Sequence, residues 1–184
     1  MAKKKKKVLN EDELEDSLEI FQDESDRACA VLGAVHLDHL LGMAIIKNLA
    51  HGDEVEKTLL SGPTAPLSSF AARIDLAYAI GLIDKDTRHD LDVIRHIRNE
   101  FAHSLGSHYF EEDQSIADRC RDLVIGNQFA AQYNESHRSN LMQPRNLFIF
   151  TVLSIRDNLC APAGVTQTRP GRVLMVKKID DNSN

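Results

Sequence analysis

The chain has no tryptophan, only five prolines and nine glycines in 184 residues, and aromatics make up 5% of it. Helix breakers this sparse, clustered at segment ends, exclude a fold of many tight turns, and alternating Val-Ile-Thr runs are almost absent. With so few aromatics there is no stacking surface for single-stranded nucleic acid, and no glycine-rich loop offers a phosphate cradle. Cys29, Cys120 and Cys160 are widely spaced and contain no C-x-x-C pair. That excludes a disulfide framework and a zinc ribbon and fits reduced thiols; none has the neighbouring base a nucleophile needs. The apolar stretch NLFIFTVLSI is half a membrane span, and no apolar run follows the N-terminal lysines as a secretory signal requires. The expectation is a cytoplasmic protein with no cofactor, no metal and no membrane contact.

What remains is a helical composition. Hydrophobic residues are 42% and charged residues 27% of the chain, as in ordinary globular proteins, and the length suits one domain. The net charge is −6, with 22 basic and 28 acidic residues. Lys3 to Lys7 supply five of the positive charges, which leaves 17 against 28 and a body of −11. Phosphates are repelled by such a body unless it carries a local basic groove. The lysine run, followed by Glu11, Asp12, Glu13, Glu15 and Asp16, reads as a solvated arm.

Periodicity divides the chain into a basic arm at 1–10, an all-α domain at 11–160 and an irregular tail at 161–184. EDELEDSLEIFQ (11–22) has the pattern of a short amphipathic helix. Asp23 or Ser25 can cap the next, whose apolar positions run from Val31 to Leu49 before His51-Gly52 ends it. A short helix at 53–60 and the loop SGPTAP follow. SSFAARIDLAYAIGLID is apolar in nearly every direction on a helical wheel, with Arg73 and Asp75 its only charges before Asp84, so it is expected to be buried on most sides. Asp84 can cap a helix over 85–103. Shorter helices are expected at 114–124 and 126–134, then one from Pro144 to Cys160, again apolar on several sides. VLMVKK near the end suits a small strand or a docked tail. The fold class is therefore all-α, with two largely buried helices wrapped by amphipathic ones.

Residues 95–103 read RHIRNEFAH. With Leu91 at zero on the wheel, Ile94, Ile97 and Phe101 fall between about 240° and 300°, and Arg98 at about 340°. Arg98 thus stands inside the edge of the apolar face, where a guanidinium must be paired or must line a cavity. Asp75 and Glu100 are the candidate partners, Asp75 the better because its surroundings read as buried. His96, Asn99 and His103 form a polar stripe at about 80–140°. Arg98 and His103 therefore meet one phosphate only if the helix loosens near His103, or if a second subunit brings the two together.

Two resemblances attach to these residues. RNEFAH (Arg98 to His103) matches the R-x(4–6)-H motif of HEPN domains, which are all-α, usually dimeric, and often metal-independent ribonucleases. That resemblance implies His103 as general base on the ribose 2′-OH, Arg98 as stabiliser of phosphorus oxygens and Asn99 as orienting group. A longer likeness joins ESDRACAVLGAVHLDHLL (24–41), GPTAPLSSFAARIDLAYAIGLID (62–84) and IRHIRNEFAH (94–103). Over most of residues 15–160 the chain resembles the mannitol operon repressor family, small all-α bacterial regulators of transcription. It implies a non-enzymatic, homodimeric regulator with a protein partner. In that reading Arg73, Asp75, Arg98, Asn99 and His103 form a structural or partner-binding polar network.

Direct DNA contact is left open. The helices at 67–82 and 85–103 can be drawn as a helix-turn-helix, but the would-be recognition helix opens with Asp84, Asp86, Asp90 and Asp92. These suit capping and the helix dipole and oppose phosphate contact. His36 and His39, with Asp38 between them, are spaced to share a metal on one helix face, yet no third ligand stands at a recognisable spacing.

Overall fold

The computed structural model describes residues 21, 24–49, 51–62, 64–103, 108–133 and 135–160. The basic arm, the expected helix at 11–22 apart from Phe21, and the tail with VLMVKK lie outside the described residues. All regular structure described is helical. Eight helices follow in order: α1 (Asp26–Asn48), α2 (Gly52–Leu60), α3 (Phe70–Ala79), α4 (Lys85–His103), α5 (Gln114–Arg121), α6 (Val124–Ala130), α7 (Glu135–Leu141) and α8 (Pro144–Cys160).

The caps are those the side chains dictate. Ser25 Oγ accepts from Ala28 N and Ser69 Oγ from Ala72 N, both at 3.2 Å, and Asp84 Oδ1 accepts from Thr87 N at 2.8 Å. Each satisfies an N–H that the first helical turn leaves without a partner. Gly81, at φ +70°, makes the turn between α3 and α4, a conformation that favours glycine. α8 begins at Pro144, where a missing N–H costs nothing.

α1 and α8 pack along each other, and α4 lies against α1. α5 and α6 cover α8, while α2 and α3 cover α1. α8 buries an unbroken run from Leu147 to Leu153. A tilted chain of aromatic rings, Phe101 to Phe110 at 5.0 Å and Phe110 to Phe148 at 5.1 Å, ties α4 to α8 through the segment between α4 and α5.

The second core helix is α1, with Leu37, Leu41 and Ile45 fully buried, and not α3. Along α3 only Phe70, Ile74 and Ala77 are buried, while Tyr78 is 39% exposed. The reason is length. α3 spans ten residues and touches α1 and α4 along one side, so an all-round apolar pattern exceeds the cover its neighbours offer. α1 also has the length and composition of a membrane span, but half of that window is buried within the fold, as in a core helix. Glu135–Leu141 is a helix that periodicity did not pick out.

Candidate functional site

The polar residues singled out in the sequence separate into two places. The first is a charged cluster between α1, α3 and α4. Arg73 Nη1 donates to Asp38 Oδ1 at 2.8 Å and to the Asp38 carbonyl at 3.2 Å, and its Nε donates to the Leu67 carbonyl at 2.8 Å. One guanidinium thereby holds the middle of α1, the loop before α3 and α3 itself. Gly42, one turn beyond Asp38, lies alongside it: a Cβ there would be in ordinary contact with Arg73 Nη1, at 3.6 Å. Burial pushes the Asp38 carboxyl above its ordinary range, and the positive charges of Arg73 and Arg98 pull it back.

Arg98 thus acts on Asp38, and neither sequence candidate pairs with it. Asp75 projects outward from α3, its side chain 67% exposed, and binds Arg88 at 2.9 Å. Glu100 binds Arg119 of α5 at 2.9 Å. The apolar stretch around Asp75 suggested burial, but α3 turns this side to solvent. Arg98 Nε is buried with no hydrogen-bond partner, the one such side-chain nitrogen or oxygen among the described residues. Two arginines around one carboxylate leave a local excess of one positive charge.

The second place is the C-terminal end of α4. His103 is exposed and, with Glu100, His108, Asp113 and Ser115, lines an open depression of about 380 Å³. His108 Nδ1 is in close contact with Asp113 Oδ2, and its ring meets Phe101 edge-on at 6.2 Å. Asp113 also caps α5 through Ser115 N and Ile116 N. Desolvation is the largest single influence and raises its carboxyl, but the bonds from His108 and the backbone together outweigh it and hold the carboxyl below the ordinary range. Asn99 is half-buried between the two places. Among the described residues Arg98 and His103 share no hydrogen bond, as a five-residue separation on a regular helix implies.

Two further carboxylates, which sequence reasoning did not select as site residues, stand apart from these and from each other. Asp90, fully buried, accepts from Val124 N and Ile125 N, both at 2.8 Å, and caps α6, whose own N-cap Leu123 has no side chain for the task. Burial raises its carboxyl and the two N–H bonds oppose the rise. Asp26 binds Arg145 and accepts from Phe110 N at 2.8 Å, while Arg145 Nη2 reaches the carbonyls of Phe21 and Glu24 at 2.6 Å each. This pair joins the starts of α1 and α8. Asp90 falls at about 260° on the wheel used above, inside the arc of Ile94, Ile97 and Phe101, which is the signal that marks it.

His36 and His39 are exposed, and no group of three or more His, Cys, Asp or Glu suited to a metal occurs among the described residues. All three cysteines are free. Cys29 and Cys120 are buried, and desolvation lifts the Cys29 thiol to about 12, so it is not a nucleophile at neutral pH.

No protein-family model matches the sequence, and no curated protein matches it. Among solved structures, the chain is similar to a chain in the X-ray structure of the MtlR-HPr complex from Escherichia coli. The TM-score is 0.60 at 15% identity, over 80% of this chain and 98% of that one. At that identity the likeness establishes architecture: this chain has the all-α fold of a protein in the MtlR-HPr complex.

Proposed function

We propose that this chain is a non-enzymatic regulator of transcription, resembling the mannitol operon repressors, that works by holding a small protein partner. The observation that carries the reading is the fold likeness, which takes in almost the whole of a chain found in the MtlR-HPr assembly. In this reading Arg73 locks α3 to α1 through Asp38, the charge of Arg98 on α4 adds to that cluster, and Asn99 is part of the same packing. His103 and the depression around it belong to the surface. The acidic body also favours it, since a nuclease needs a basic approach to its site.

Calorimetric titration of the purified chain with HPr from the cell that makes it tests the reading. Saturable binding at one partner per chain, weakened by His103→Glu, supports it. A flat titration removes this partner from the account. The competing reading is a HEPN-type ribonuclease using Arg98, Asn99 and His103. It requires a second subunit or a loosened helix end to unite groups that this chain turns to different neighbours.

A further inference from the structure

Three of the six large hydrophobic side chains exposed among the described residues lie on α1: Leu32 at 50%, Val35 at 54% and Met43 at 38%. With exposed His36 and His39 they fall within about 100° of one another around the helix and extend for roughly 17 Å along it. Between Arg27 and Lys47 no exposed residue of α1 carries a formal charge with histidine neutral. In a chain with 27% charged residues, an uncharged apolar stripe of this length is not ordinary solvated surface.

The stripe has an internal symmetry. Reflected about the midpoint between residues 37 and 38, Leu32 falls opposite Met43, Val35 opposite half-buried Leu40, and His36 opposite His39. Apolar, apolar, histidine, histidine, apolar, apolar reads alike from both ends, the self-complementarity that a two-fold interface requires. Charge agrees with this. A second copy carries a net −6 and is repelled over most of the surface, but here it meets neutral ground. The same reflection sets Arg27 opposite Asn48 and Lys47 opposite Ala28, so no like charges face each other.

We propose that this face of α1 receives α1 of a second copy of the chain, antiparallel about a two-fold axis. That the chain pairs is already implied by the resemblance; which face pairs rests on the stripe alone and not on the function proposed above. A single helix pair of this length lies at or below the low end of the roughly 1,200–2,000 Å² buried by stable complexes, so the dimer forms reversibly and depends on concentration.

Sedimentation velocity over a concentration series tests it on the full chain, wild type beside a Leu32→Glu/Val35→Glu double variant. Both positions are at least half exposed, so circular dichroism and the unfolding midpoint of the variant should match wild type. The expected result is a wild type that shifts from monomer to dimer with concentration and a variant that stays monomeric. Register is tested by mixing Leu32→Cys with Met43→Cys, each in a Cys160→Ser background that removes the exposed thiol. Mild oxidation should give a dimer from the mixture and none from either variant alone. A wild type that remains monomeric throughout, including one whose stripe instead binds lipid vesicles, overturns the proposal. So does a double variant that dimerises like wild type.

Discussion

Asp90 on α4 accepts hydrogen bonds from the backbone N–H groups of Val124 and Ile125, 34 and 35 residues further along the chain, each at 2.8 Å. One buried carboxylate replaces the N-cap that Leu123 cannot supply and fixes α6 against α4. Removing it leaves two buried N–H groups without acceptors, at about 1–3 kcal/mol each, against relief from burying a charge. Asp90→Ala should therefore lose about 2–4 kcal/mol in urea unfolding. Asp90→Asn, which keeps one acceptor oxygen, should fall between that and wild type. An alanine variant as stable as wild type would show that the cap contributes nothing.

Gly126 is the point of closest approach between α6 and α8. A Cβ there would stand 2.5 Å from Thr151 Oγ1 and 2.9 Å from the Leu147 carbonyl, and the second of these is backbone. Gly126→Ala should destabilise by about 1–3 kcal/mol despite alanine's better helix propensity. Combining it with Thr151→Ala removes the nearer obstacle, so the double variant should lose less than the sum of the two singles. Strict additivity in that cycle would contradict the crossing geometry.

The Arg73–Asp38 pair makes a prediction about pH. Because burial holds the Asp38 carboxyl above its ordinary value of 3.8, the folded chain keeps that proton to higher pH than the unfolded chain does. Stability from this group therefore falls as pH rises from the unfolded value through the folded one, and the full cost is present above it. Arg73→Met removes the main opposing charge and moves the folded value further up. The variant should be less stable than wild type by about 3 kcal/mol at neutral pH, near the lower end for a broken buried pair, since Asp38 keeps 28% exposure and the charge of Arg98. That deficit should shrink as pH falls from about 7 to 4. A deficit independent of pH would mean that Arg73 acts only through its bonds to the Leu67 and Asp38 carbonyls.

Much of the fold was legible in the sequence because it rests on local rules. Ser25, Asp84 and Pro144 marked helix starts by chemistry that acts within one turn. α3 was misjudged because a wheel shows which directions are apolar and not how many neighbours arrive to cover them. The partner of Arg98 was misjudged for a related reason. Asp75 and Glu100 are near in sequence but pair with Arg88 and Arg119, whereas the carboxylate that feels the charge of Arg98, Asp38, comes from α1, where its flanking histidines drew attention to metal binding instead. Asp26 with Arg145, 119 residues apart, has no local signature at all.

The claim that this chain regulates by contact and performs no chemistry on RNA is tested most directly by incubating it with mixed-sequence RNA in excess EDTA, wild type beside His103→Ala. The account predicts that neither protein cleaves, because Arg98 and His103 share no hydrogen bond and His103 lines a depression beside Asp113 that Arg98 does not line. Cleavage by wild type that leaves 2′,3′-cyclic phosphate ends, and that disappears in His103→Ala, would contradict it and make RHIRNEFAH a catalytic element.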